Sequence, residues 1–213
     1  MKKYTRDEAY TLKTGSAHRY YYDNWAKTYE QDFVKENHYV YPREICKLLI
    51  SKCDQGSKTL ADIGCGTGLI GQELKTTDWI IDGFDISIGM LEEARKKKLY
   101  RNLICLDLSV EKDYPEKKYS ALISTGTFTI GHLGPDVLRK TLSLCANNAF
   151  CIFGINLEHF DSSGFKKTFS YLESQGIIDK FEIIAVPIYE NSKIENSKLT
   201  NANICIFRFI GTN

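Results

Sequence analysis

The sequence predicts an α/β fold, a mostly parallel sheet with helices on both faces, and three observations carry that prediction. From Lys58 onward, short apolar runs alternate with amphipathic stretches, the order that builds strand–helix–strand units. A glycine-rich loop, "GCGTG", separates the first apolar run from the helical stretch after it. Acidic residues close three successive runs, at Asp62, Asp85 and Asp107. In such a sheet, ligands bind beyond the carboxyl ends of the strands.

The elements follow in order. "KTLADI" is a strand, and "GLIGQELK" starts a helix after the glycine loop. "WIIDGFD" is the second strand. "SIGMLEEARKKK" is a helix opened by a Ser cap, with acids early and bases late to suit the helix dipole. "NLICLDL" and "YSALIST" are strands three and four. "GPDVLRKTLSLCAN" is a helix with Pro135 near its first turn, and "AFCIFGI" is the fifth strand. "SGFKKTFSYLESQG" is a helix stopped by Gly176. "KFEIIAVPI" and "NICIFRFI" are two late strands with a short connection, hence antiparallel. The polar stretch between them, "ENSKIENSKLTNAN" (Glu190–Asn203), reads as an exposed hairpin loop. Ahead of all these, residues 1–55 read as helical and aromatic. Tyr22, Trp25, Tyr29 and Phe33 recur at helical spacing and share one face. That stripe either packs on the sheet or closes over its ligand end. The polar atoms of two tyrosines and a tryptophan favour the lid.

Composition bounds the function. The 213 residues fit a single domain, 1–213, divided into a 1–55 helical lid and a 56–213 core. A net charge of +1 gives no global field toward nucleic acid, membranes or acidic substrates. The basic run Arg95–Lys98 ends a helix, where cations suit the dipole. No signal peptide or bilayer-spanning run is expected, and the expected location is the cytoplasm. The seven cysteines are odd in number and lack a C-x-x-C pair. Cys105, Cys151 and Cys205 read as reduced core residues, with no disulfide frame and no metal site. Cys65, in the glycine loop, reads as an incidental small residue.

Two cofactor readings fit "LADIGCGTGLIG" (Leu60–Gly71). From Gly66, "GTGLIG" is a dinucleotide fingerprint. From Asp62, "DIGCGTG" is a loop for S-adenosylmethionine (SAM). Asp85, 21 residues after Gly64, can accept both hydroxyls of a ribose in either case. Three features favour SAM. A carboxylate at Asp62 would repel a pyrophosphate, whereas SAM carries no phosphate and ends in an ammonium and a carboxylate. Asp107 can accept from an adenine amino group while a backbone N–H meets a ring nitrogen. Gly64 begins the turn earlier than the dinucleotide fingerprint requires.

Together these segments resemble the class I SAM-dependent methyltransferases. "LADIGCGTGLIG" is similar to their first motif, "IDGFDIS" to the second and "LICLDL" to the third. "YYDNWAKTYEQDF" resembles the Y-D-x-W-A-x-x-Y-(D/E) segment preceding that core in many small-molecule enzymes. "DGFDISIGMLEEARKKKLY" and "GTFTIGHLGPDVL" carry a narrower likeness within the family. The resemblance implies a Rossmann-like sheet of seven strands with the last one antiparallel. It implies SAM as methyl donor and S-adenosylhomocysteine (SAH) as product. Gly64, Cys65 and Gly66 would then offer backbone to the methionine moiety, and Asp62 would face its ammonium directly or through water. Asp85 would bind the ribose, Ile86 and Met90 would pack on the adenine, and Asp107 with the Leu108 N–H would read its edge. Ser124 would sit near the sulfonium, and Tyr22, Trp25 and Tyr29 would close over the methionine end. Met90 reads equally as a core helix residue. The family's Lys-Pro-Gly-Gly turn is replaced here by "CANNAF", where Asn147 and Asn148 can take left-handed conformations.

The acceptor is less legible. Strand four ends in "STGTFT", without the acid or Asn, prolines and aromatic of amine-methylating base enzymes, and no Pro precedes a Cys. With the neutral charge, this argues against a nucleobase. The expected partner is a small-molecule substrate, with neither nucleic acid nor membrane. A protein or peptide acceptor, and a SAM-binding protein without activity, are the alternatives. An NAD-dependent oxidoreductase is the weaker third. His132 is the candidate base, with His159 behind it.

Overall fold

The computed structural model describes residues 4–54, 56, 58–110, 114–116, 118–190 and 201–211. The chain enters through helices: α1 (Arg6–Ala9), α2 (Gly15–Tyr29) running into a π-helical turn (Glu30–Lys35), and α3 (Tyr41–Lys52). The alternating part follows as β1 (Thr59–Ile63), α4 (Leu69–Glu73), β2 (Ile80–Asp85), α5 (Ile88–Lys97), β3 (Asn102–Cys105) and β4 (Tyr119–Phe128). It continues through α6 (Pro135–Thr141), β5 (Cys145–Asn156), α7 (Leu157–Ser162), α8 (Phe165–Ser174), β6 (Glu182–Pro187) and β7 (Asn201–Phe209).

Seven strands form one sheet in the order β3-β2-β1-β4-β5-β7-β6. β1 to β5 pair in parallel, and β7 runs antiparallel between β5 and β6. The strand order reverses between β1 and β4, which opens a crevice at their carboxyl ends. Side chains alternate across the sheet. Ile63, Leu122 and Phe153 enter one core layer, and Leu60, Ile123 and Ile152 the other. With both faces covered, the central strands read as continuous apolar runs. Among the described residues, no helix is long and apolar enough to cross a membrane.

Several boundaries differ from the sequence expectation. β3 stops at Cys105, so Asp107 lies beyond the strand. α6 stops at Thr141, and after a single 3₁₀ turn "CANN" joins β5. Asn148 there takes the left-handed φ of 62°, in a strand whose register shifts against β4. Of the three cysteines expected in the core, Cys105 is exposed, because β3 is the sheet's edge strand and ends there. Cys151 and Cys205 are buried, as expected. Residues 191–200 of the expected hairpin loop lie outside the described residues, and Asn201–Asn203 belong to β7.

Candidate cofactor site

A cavity of about 460 Å³ sits over the crevice. β1 leads into it through three glycines with left-handed φ, Gly64 (72°), Gly66 (53°) and Gly68 (86°). The turn is pinned from below, since the Gly64 and Cys65 N–H groups both donate to the Phe84 carbonyl, at 2.8 and 3.0 Å. A Cβ on Gly64 would lie 1.9 Å from the Thr127 Oγ1, whereas one on Gly66 would meet nothing within 4 Å. Gly64 therefore serves packing, and Gly66 leaves the cavity open.

Asp85 ends β2 beside this loop. Its Oδ2 accepts from the Gly66 N–H and its Oδ1 from the Ser87 N–H, both at 2.8 Å. Burial pushes its pKa up to about 6 against those bonds. Ile86, Met90, Leu106 and Leu108 supply an apolar wall. Asp107 Oδ1 accepts from the N–H and the hydroxyl of Ser109, at 2.9 and 2.6 Å. Its Oδ2 faces Gly15 at the start of α2, where a Cβ would come within 2.9 Å.

Ten of the thirteen expected cofactor residues thus share one cavity: Tyr22, Tyr29, Gly64, Cys65, Gly66, Asp85, Ile86, Met90, Asp107 and Leu108. Three do not line it. Asp62 is buried beneath the loop, where its Oδ2 accepts from the Tyr100 hydroxyl at 2.7 Å and its Oδ1 has no partner. Burial raises its pKa to about 7. Ser124 is fully buried and donates to the Ile63 carbonyl at 2.7 Å, leaving Thr125, Gly126 and Thr127 to face the cavity. Trp25 is turned away with Tyr21 and Phe33 into an aromatic cluster of the N-terminal helices.

His132 lines the cavity with both ring nitrogens engaged. Its Nδ1 lies 3.0 Å from the Ile130 carbonyl, which only accepts, so Nδ1 carries the proton. Nε2 then accepts from the Tyr22 hydroxyl at 2.8 Å. Burial lowers its pKa to about 4. His159 does not line the cavity: it donates to the Leu133 carbonyl and accepts from Ser163, holding the loop before α6. Sequence reasoning passed over His18 and Tyr39, which line the cavity, and Tyr100, which holds Asp62. It also passed over Asp23, whose only signal was its place in "YDNWA".

A family model described as a methyltransferase domain matches residues 60–148. Over 118 residues the chain is 33% identical to Methyltransferase-like protein 27 of Homo sapiens, a match covering 54% of this chain and 48% of that protein. Residues 60–148 thus resemble a methyltransferase domain, and the strand order is that of the class I methyltransferase fold. The chain spans about half the length of the curated relative it matches. Its fold is shared with the magnesium protoporphyrin IX methyltransferase of Synechocystis PCC 6803, solved with bound SAM. The TM-score is 0.68 at 16% identity, over 93% of this chain and 98% of that one. It is also shared with a SAM-dependent methyltransferase of Clostridium acetobutylicum ATCC 824, at TM-score 0.61 and 18% identity, over 89% and 99% of the two chains.

Proposed function

We propose that the protein is a SAM-dependent methyltransferase whose acceptor is a small molecule. The observation that carries the cofactor half is Asp85. Two backbone N–H groups hold its carboxylate at the floor of a cavity sized for a nucleoside-bearing ligand. Each carboxylate oxygen keeps lone pairs for a ribose hydroxyl. The residues present fit SAM. Asp85 would take the ribose, Asp107 and the Leu108 N–H the adenine edge, and Ile86 and Met90 its face. The open backbone at Gly66 would take the methionine end. Asp62 acts from behind the loop, as a partly neutral carboxyl at pH 7, and Ser124 supports β1.

SAM, when bound, supplies a methyl group on a cationic sulfur, transferred as the carbon–sulfur bond breaks and an acceptor lone pair takes its place. The chain's task is alignment and exclusion of water. Tyr22 and Tyr29 cover the cavity from α2. His132 is neutral, and its one free lone pair is taken by Tyr22, so its role is to orient that hydroxyl. An acceptor that arrives deprotonated needs no base. A cavity of about 460 Å³ suits a small acceptor, and the structurally similar enzyme from Synechocystis is named for a small molecule.

Incubation with methyl-labelled SAM and a fractionated cell extract tests both halves. Label in the low-mass fraction is expected. Label confined to protein would overturn the acceptor reading, and SAH binding without any label would overturn the activity. Affinity for NAD exceeding that for SAH would overturn the cofactor.

A further inference from the structure

A second cavity, of about 60 Å³, adjoins the first over the ends of β4 and β5, with Tyr22, Tyr29, Tyr39 and Gly126 lining both. Its walls are largely aromatic, and three of its lining residues carry polar atoms that have no partner. Trp25 Nε1, Tyr41 Oη and Asn156 Nδ2 are all unsatisfied, in side chains 2%, 3% and 4% exposed. The orientation of Asn156 is fixed, because its Oδ1 accepts from the His159 N–H at 3.1 Å and caps α7. That leaves its NH₂ as the free end. The indole N–H only donates, and the Tyr41 hydroxyl can donate. Arg6 lines the chamber as well, donating from Nη1 to the Tyr189 hydroxyl at 3.0 Å. No Asp or Glu is among the lining residues.

A buried donor without a partner costs free energy, and three around one chamber mark a place for an oxygen-rich group. The Arg6 guanidinium donates from Nε and Nη2 to Asp7 Oδ1 at 3.0 and 2.9 Å, outside the lining, and keeps Nη1 on the chamber side. With three unpartnered donors and no lining carboxylate, an anionic oxygen group fits better than a neutral or cationic one. Resting on the methyltransferase reading, we infer that this chamber anchors a carboxylate of the methyl acceptor, held by Asn156, Trp25 and Tyr41. The acceptor's reacting atom then lies at the junction beside Gly126, where the two cavities meet. The substrate class is a small molecule bearing a carboxylate at one end and a nucleophile a few atoms away.

Trp25 and Trp79 are the only tryptophans, so ¹⁵N-tryptophan labelling gives two indole N–H signals, one of them from the chamber. The full chain, with and without saturating SAH, is titrated with acetate, acetamide and ethylammonium. Acetate is expected to move the Trp25 signal saturably and leave Trp79 still, with acetamide weaker and ethylammonium inert. Asn156→Asp keeps the cap on α7 but places a negative charge in the chamber, and it should weaken acetate at least tenfold. Tyr41→Phe should weaken it several-fold, and both variants should bind SAH as wild type does. No response to acetate, an equal response to ethylammonium, or undiminished acetate binding in both variants overturns the inference. Failure to bind SAH while acetate binds strikes the methyltransferase reading instead.

Discussion

Asp23 on α2 caps α5, the helix that follows β2: its Oδ1 accepts from the Ser87 hydroxyl at 2.7 Å and from the Gly89 N–H at 2.9 Å. Ser87 in turn caps its own helix by accepting from the Met90 N–H at 3.1 Å. α2 is thereby fastened to the start of α5, beside the cavity-lining Ile86 and Met90. Gly89 lets the helices approach, since a Cβ there would lie 2.8 Å from the Asp23 carbonyl oxygen. Asp23→Ala should cost about 1–2 kcal/mol, the loss of a helix cap and a cross-element bond. Gly89→Ala should cost at least as much by forcing the backbones apart. Chemical denaturation measures both. Limited proteolysis should show cleavage ahead of Tyr41 speeding up in each, and unchanged cleavage would count against the fastening.

The strand–helix alternation was legible because core layers cover both faces of β1, β4 and β5, which therefore read as short continuous apolar runs between amphipathic stretches. The placement of Asp85 and Asp107 at the cavity was legible because each sits at or just past a strand end. Ser124 and Trp25 were misread for one reason: a residue's neighbourhood in sequence does not say which way its side chain turns. Ser124 follows the inward face of β4, and Trp25 follows the buried side of α2. Asp62 shows a different limit, because its buried site comes from Tyr100, 38 residues away. The donor chamber was invisible for the same reason, since Trp25, Tyr41 and Asn156 meet only through the fold.

The glycines of the loop divide their labour, and substitution should separate the two tasks. Gly64→Ala sets a methyl against Thr127 at a left-handed φ and should destabilise the fold by roughly 2–4 kcal/mol. Gly66→Ala meets no neighbour, so it should cost only about 1 kcal/mol of backbone strain. Its methyl would stand in the cavity, and SAH affinity should fall by an order of magnitude or more. Calorimetric melting paired with SAH titration tests the contrast. Equal effects of the two variants on both measurements would contradict it.

His132 makes stability depend on pH with a definite sign. Its folded pKa, about 4, lies below the unfolded value of 6.5. The unfolded chain therefore binds the proton first on acidification. The contribution is complete above about pH 6.5, falls between there and about pH 4, and is level below. At about 1.4 kcal/mol per unit, the full loss is on the order of 3 kcal/mol. Asp62 and Asp85, with raised pKa values, act in the opposite sense and gain stability as pH falls. The comparison that isolates the histidine is wild type against His132→Gln in urea at pH 7, 5.5 and 4.5. The variant should lose less stability than wild type across that series, and parallel losses would show that His132 is not held neutral.

Asp85 should set the pH dependence of cofactor binding. A carboxylate accepts from both ribose hydroxyls only when ionised, and burial has brought its pKa to about 6 in the free protein. The Asp85 contribution to SAH affinity should fall toward tenfold per unit below that pH, because the ligand must displace the proton. The ligand's own amino and carboxyl groups do not titrate between pH 5 and 7. Asp85→Asn should bind weakly at every pH and lose this slope, leaving only what Asp62 contributes through its own pKa near 7. Because Asp85 also holds the Gly66 N–H, weaker binding by itself does not separate ribose contact from loop support. An SAH analogue lacking both ribose hydroxyls does separate them. Wild type should lose at least tenfold on removal of the hydroxyls, and Asp85→Asn should barely distinguish the two ligands. Equal discrimination by both proteins would place the ribose elsewhere.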